Sequence, residues 1–258
     1  MTADSSDPRQ MYLELLKRAL LGMIYEDPPL SAPAVGGYKT EVYVAKFREM
    51  GRDLPSQAHS MIGLRRMHNL QVCIEQVLAD GVPGDLMETG VWRGGATIFM
   101  RGVLKAYGVT DRSVWVADSF AGLPTPDIET YPVDAFWESS AGGIAVDLET
   151  VRKNFQRYDL LDDQVRFLKG WFQDSLPHAP IASLAVLRLD GDLYQSTWDA
   201  LTHLYPKLSP GGFLIVDDYN FESCRQAVHD YRGTQDIDEP IHDIDGLGVY
   251  WQRRGFVS

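Results

Sequence analysis

Cysteine is nearly missing from this chain: there are two among 258 residues, Cys73 and Cys224, far apart and in no metal-binding spacing. That excludes a disulfide scaffold and a thiolate zinc site, and fits a reduced, cytoplasmic protein with two structural thiols. Basic charge is scarce as well. Lys and Arg number 24 against 36 Asp and Glu, for a net charge of −12, which argues against nucleic acid and against anionic membrane surfaces as partners. Taken alone, an acidic balance of this kind serves solubility. No apolar run approaches the ~20 residues needed to span a bilayer, and the opening "MTADSSDPRQ" lacks the basic start and apolar segment of a signal peptide. Walker A, Gly-x-Ser-x-Gly and His-Glu-x-x-His patterns are all absent, which removes the commonest phosphate-loop, hydrolase-elbow and zincin readings.

What is present is a hydrophobic content of 45%, enough for a large core in one domain spanning residues 1–258. Two segments, "MYLELLKRALLGMIYED" and "SMIGLRRMHNLQVCIEQVLADG", carry helix-period apolar residues. Pro28-Pro29 stops the first and Gly81 the second. With the irregular connection between them they make a helical preface over residues 1–83. From residue 84 the pattern alternates. Short apolar runs ("GDLMETG", "SVWVADSF", "QVRFLKGWF", "LAVLRLD", "GGFLIVDD", "VYWQR") are interleaved with helical ones, among them "STWDALTHLYPKL" with Ser196 as a candidate N-cap. Near-continuous apolar strands alternating with helices predict a mostly parallel, doubly wound α/β sheet covered on both faces, over residues 84–258. The exception is residues 119–146, a long Gly-, Pro- and aromatic-bearing connection. Such length is uncommon unless the segment is functional or mobile, and a lid is the expectation.

In open α/β sheets ligands bind at the carboxyl ends of the strands. The first strand ends in "ETGVWRGG", a glycine-rich turn that opens the backbone to a ligand or merely lets helix and strand pack. It is not the G-x-G-x-x-G pyrophosphate pattern. The next strand ends in Asp118, placed either to accept a ribose diol or to cap a turn. Two later strands end in paired acids, Asp190-Gly191-Asp192 and Asp217-Asp218. Parallel neighbours lie about 4.8 Å apart, so these carboxylates converge and repel. A hard divalent cation on Asp190, Asp217 and Asp218 would relieve that, as would a solvated acidic rim without metal. Three carboxylates leave about half of an octahedral Mg²⁺ shell for two adjacent substrate hydroxyls. His59 and His68 are read as packed or surface histidines first, and Trp171, Trp198 and Trp251 as core first and substrate walls second.

At "ETGVWRGG", "VADSF", "GWFQDSL", "LRLDGDLYQST" and "LYPKLSPGGFLIVDDY" the chain resembles the macrocin O-methyltransferase family. The likeness covers roughly residues 10–252, including "HSMIGLRRMHNLQ" and "GVYWQRR". Several ordered motifs make it specific. The resemblance implies a Rossmann-like fold and a Mg²⁺- and S-adenosylmethionine-dependent enzyme that methylates a sugar hydroxyl of a bacterial natural product, a small glycoside. It implies that Glu88, Thr89 and Gly90 hold the amino-acid end of the cofactor. Asp118, with Ser119 beside it, takes the ribose; Asp174 and Ser175 border the adenine; Met61 closes over it. It also implies Asp190, Asp217 and Asp218 as metal ligands, Asp192 as general base, and a homo-oligomer. A phenolic or catechol-like diol would suit the same metal and is the runner-up acceptor. A nicotinamide-dependent oxidoreductase is the competing class on such a sheet, and a cofactor-binding module without catalysis would leave Asp192 no purpose.

Overall fold

A computed structural model describes residues 7–30 and 42–254; the first six residues and residues 31–41 of the irregular connection lie outside them. Asp7 starts the first helix. Its side chain accepts the Arg9 N–H at 3.0 Å and Pro8 takes the first helical position, giving α1 over Pro8–Leu20. A short α2 (Ala45–Glu49) leads to α3 (Gly63–Ala79), which Gly81 closes with φ +65°. The two longer helices do not form a separate layer. Leu13, Leu16 and Leu20 of α1 and Met67, Leu70, Ile74 and Val77 of α3 are buried in one cluster with Leu86, Val116, Val186 and Ile215 of the sheet. Each fully buried side chain of this kind contributes about 1.5–3 kcal/mol. The preface is thus part of the core.

The chain then alternates: β1 (Asp85–Thr89), α4 (Gly95–Ala106), β2 (Val114–Asp118), α5 (Leu148–Arg157), β3 (Val165–Lys169), a single turn α6 (Phe172–Ser175), β4 (Leu184–Leu189), α7 (Tyr194–Leu204), β5 (Leu208–Val216) and α8 (Glu222–Thr234). The two-residue β6 (His242–Asp243) and β7 (Val249–Gln252) complete a seven-stranded sheet of order β3-β2-β1-β4-β5-β7-β6. The first five are parallel and β7 is antiparallel to both its neighbours, so the expected Rossmann-like, mostly parallel sheet is what forms. β6 is too short to leave an apolar pattern. Every residue of β4 is buried, as a central parallel strand between two helical layers must be. Its alternate residues Leu187 and Leu189 join a second cluster with Leu201, Leu204, Val228 and Trp251, beneath α7 and α8.

Register decides where the chemistry can lie. Thr89 pairs with Ala117 on one side and Leu189 on the other, and Leu189 pairs with Val216. The next residues, Gly90, Asp118, Asp190 and Asp217, therefore stand at one level. Amide bonds hold them there: Gly90 N–H to Ala117 O, Asp190 N–H to Thr89 O and Asp217 N–H to Leu189 O, each 2.9 Å. Two residues past this level three loops turn through a left-handed residue that is not glycine: Trp92 (φ 49°), Phe120 (φ 55°) and Asp192 (φ 59°). Such conformations cost about 1–3 kcal/mol each and cluster at functional sites.

The long connection after β2 is anchored rather than loose. It contains a 3₁₀ segment, Pro132–Ser140, in which Asp134 is 0% and Trp137 3% exposed. Asp134 corrects one expectation. Helix α7 begins at Tyr194, before Ser196, and its N-cap residue Leu193 supplies no side-chain bond. Asp134 caps it from 60 residues away, accepting the Tyr194 N–H at 2.6 Å and the Gln195 N–H at 3.3 Å.

Candidate active site

A cavity of about 400 Å³ opens above the aligned strand ends, within the size range of small-molecule sites. The preface supplies one wall, with His59, Met61 and Arg66. The β1 and β2 ends supply Glu88, Gly90, Trp92, Asp118 and Ser119. Asp190, Asp192, Asp217 and Asp218 form the floor, and Trp171, Phe172 and Gln173 the far side. The cavity thus gathers most of the residues singled out in the sequence. Thr89, Asp174 and Ser175 do not line it. Thr89 is fully buried below it, Asp174 is exposed, and the Ser175 hydroxyl donates to Trp171 O at 2.9 Å. His68 faces solvent, and Trp251 is 0% exposed in the core, so of the three tryptophans only Trp171 becomes a wall. Both cysteines are free and buried.

The glycine-rich turn serves packing. A Cβ on Gly90 would sit 1.7 Å from the carbonyl of Asp190, and one on Gly95 would sit 2.4 Å from the carbonyl of His59. Close backbone passage between β1, β4 and the preface requires glycine there, whatever the cavity holds. Asp118 caps the turns that follow β1 and β2. One carboxylate oxygen accepts the Val91 N–H and the other the Phe120 N–H, both at 2.7 Å. Burial raises its pKa and these amides oppose the rise. The Ser119 hydroxyl lies 3.4 Å from the oxygen that accepts the Phe120 N–H.

The acids on the floor are not left to repel one another, and here sequence reasoning missed two residues. Arg188, the last but one residue of β4 and 1% exposed, donates to Glu88, to Asp190 at 2.7 Å, and to one oxygen of Asp217. Arg66 of α3, 6% exposed, donates to the other oxygen of Asp217 and pairs with Asp245 at 3.2 Å. Two buried guanidiniums therefore do part of the compensating that was expected from a cation or from solvent. The signal was in the sequence: an arginine inside "LAVLRLD" has no place in a wholly buried strand unless it meets a carboxylate.

The remaining acids have no arginine. Asp218 accepts the Asp192 N–H at 3.2 Å. Burial, then Asp192, Asp190 and Asp217, push its pKa well above the ordinary value. Asp192 is pushed up to about 8 by burial and then by Asp190 and Asp217. Oxygens of Asp190, Asp217 and Asp218 lie within 4.8 Å of one another, a hard-oxygen donor set that fits Mg²⁺. For the cofactor, the fit lies in Glu88: 2% exposed, lining the cavity, its Oε2 without a partner among the described residues. A buried acceptor of that kind matches an ammonium group.

Comparison with known proteins settles the family. The model of the macrocin O-methyltransferase family (TylF) matches residues 9–253. A tetracenomycin enzyme of Streptomyces olivaceus, 8-demethyl-8-(2,3-dimethoxy-alpha-L-rhamnosyl)-tetracenomycin-C 4'-O-methyltransferase, is 57% identical over 96% of this chain and 94% of its own. Mycinamicin III 3''-O-methyltransferase of Micromonospora griseorubida is 55% identical over 95% of this chain and 96% of its own. The solved structure of the O-methyltransferase NovP superposes with a TM-score of 0.90 at 52% identity, covering 96% of this chain and all of NovP. These matches remove the oxidoreductase alternative. The chain is an S-adenosylmethionine-dependent O-methyltransferase, and it belongs to the macrocin O-methyltransferase family.

Proposed function

We propose that the chain methylates a sugar hydroxyl of a natural-product glycoside of the antibiotic type, with Mg²⁺ on Asp190, Asp217 and Asp218 and with Asp192 as general base. The observation that carries this is the three-carboxylate set within 4.8 Å, with Asp192 beside it on the same cavity floor. Its relatives are named for the rhamnosyl 4' position of a tetracenomycin and the 3'' position of mycinamicin III.

A sugar hydroxyl is a weak acid and a weak nucleophile. S-adenosylmethionine supplies an electrophilic methyl and a divalent cation lowers the pKa of an oxygen bound to it. The chain's own work is placement and proton transfer. Arg188 and Arg66 fix Asp217 through both of its oxygens. Asp192, which receives no arginine, takes the hydroxyl proton at a carboxylate oxygen as the new bond forms. Glu88 receives the cofactor's ammonium and Asp118 its ribose, while Trp171 and Phe172 exclude water from the far side. The same reading includes a single methyltransferase unit and a cytoplasmic homo-oligomer, for which α1 offers Met11 and Leu15, each 60% exposed. Among the described residues no helix is long and apolar enough to cross a membrane.

The test is methyl transfer from labelled S-adenosylmethionine to a panel of glycosides with vicinal hydroxyls and to a catechol, with and without chelator. Transfer to a sugar oxygen, abolished by chelator, restored by Mg²⁺ and lost in Asp217→Asn, is expected. Chelator-insensitive turnover overturns the metal assignment, and transfer to the catechol alone replaces the sugar by a phenolic diol.

A further inference from the structure

Asp192 stands in a left-handed conformation (φ 59°) between a strand end and a helix. Strained backbone of this kind persists only when its surroundings over-determine it. Those surroundings come from Asp218, from α8 and from the long connection after β2, more than 50 residues earlier in the chain. The Asp192 carbonyl accepts from the hydroxyl of Ser223 on α8 at 2.8 Å. That hydroxyl in turn accepts from the indole N–H of Trp137 at 3.2 Å. Ser223 is 2% exposed and Trp137 3%, and the Trp137 ring meets Phe221 edge-on, centroids 4.9 Å apart. Two and three residues beyond Asp192, Asp134 takes the first free amides of α7, Tyr194 N–H and Gln195 N–H. The Asp192 N–H goes to Asp218. The peptide on each side of this residue is thus held by a different element.

We propose that Asp134, Trp137 and Ser223 are positioning residues for the reaction: together they clamp the backbone around Asp192, so that its carboxylate is aimed at the acceptor hydroxyl without rearrangement. This rests on the reading of Asp192 as the base. The segment that carries Asp134 and Trp137 then acts on the chemical step, in addition to walling the cavity. None of the three needs to touch substrate, and removal of their bonds frees Asp192 to relax out of its left-handed turn. Misplacement of a catalytic group by about 1 Å costs on the order of 10²-fold, and loss of one bond of several should cost less.

Trp137→Phe keeps the ring against Phe221 and deletes only the N–H; Ser223→Ala deletes the hydroxyl; Asp134→Asn keeps one acceptor oxygen. Single-turnover rates, KM for both substrates and thermal midpoints would be measured for each, alone and in an Asp192→Asn background. The expected result is a roughly tenfold fall in the rate for Trp137→Phe and Ser223→Ala and a smaller one for Asp134→Asn. KM should stay within about twofold, and the changes should add almost nothing once Asp192 is Asn, because residues acting through one group are not additive. Variants that lower the midpoint and leave the rate intact would show a purely structural role and overturn the proposal. So would a tenfold loss that persists in the Asp192→Asn background. If Asp192→Asn alone turns over at the wild-type rate, the base assignment itself has failed and the clamp falls with it, an outcome distinct from the other two.

Discussion

The carboxylates around the cavity floor divide into two kinds. Glu88, Asp190 and Asp217 are bonded to buried arginines, whereas Asp192 and Asp218 have only backbone and other acids beside them. On the first side the geometry is set by arginines that are themselves immobilised, although burial still pushes Glu88 up to about 8 and Asp190 above its ordinary value. On the second side burial and like charge push both carboxyls upward. A protein that wanted only a neutral interior would have given both sides an arginine or neither an acid. The difference divides one cluster: arginines fix the geometry of Glu88, Asp190 and Asp217, no arginine takes the oxygens of Asp192 and Asp218, and the three-carboxylate set spans both sides.

The comparison breaks most severely at Arg188. Arg188→Leu would leave the buried Glu88 and Asp217 and the half-buried Asp190 without it, and removal of one partner of a buried pair costs about 3–5 kcal/mol. Chemical denaturation should show that loss with the slope unchanged; a variant as stable as the wild type would mean that the arginine does not fix that side's geometry. Asp118 sharpens the comparison from a third position, an acid held by backbone amides and the Ser119 hydroxyl, with no arginine. Asp118→Ala is expected to weaken S-adenosylmethionine binding by about 10–100-fold, the order of one charge-assisted hydrogen bond, while Mg²⁺ affinity measured by calorimetry stays unchanged. Equal loss of both would merge Asp118 with the metal cluster.

The smallest effect concerns His59, where arginines stand beside a base in place of an acid. Burial, then Arg157 and Arg93, lower its pKa to about 4, and its Nδ1 lies 2.7 Å from the Tyr158 hydroxyl. Because the folded value is below the ordinary 6.5, the unfolded chain binds the proton first. His59 therefore favours folding fully above pH 6.5 and loses that contribution as the pH falls toward 4. Thermal midpoints compared at pH 7 and pH 4.5 should fall by about 2–4 °C less in His59→Gln than in the wild type, the shift that about 1 kcal/mol produces in a chain of this size. Identical pH profiles would show that His59 is not held neutral.

The parallel strands, their common level and the four aspartates at their ends were legible because each is a local matter: an apolar run, its length, and the residue that ends it. What escaped was long-range pairing. Arg66 and Asp217 are 151 positions apart, and nothing in the periodicity of "GLRRMHNLQ" tells which arginine turns inward. Arg188 was legible in principle, as a charge in a buried strand, but it was passed over as part of the apolar run. The start of α7 escaped for the same reason. Capping rules look one to three residues ahead, and the cap is Asp134. Asp174 and Ser175 were brought in by motif alone, and the motif does not record that the neighbouring Trp171, Phe172 and Gln173 face the cavity in their place.

The remote cap and the Trp137–Ser223 bond also set the rules for recombining this enzyme with its relatives. The long connection between β2 and α5 is the natural segment to exchange when a different acceptor is wanted, since it walls the cavity and is bounded by regular elements. It is not a free cassette. A crossover at residues 119 and 146 carries Asp134 and Trp137 but leaves their partners, the first turn of α7 and Ser223 of α8, in the recipient. Functional chimeras will be those in which the recipient's α8 presents a hydroxyl at position 223 and the incoming segment an acid at position 134, and library design can screen for that pair before any protein is made.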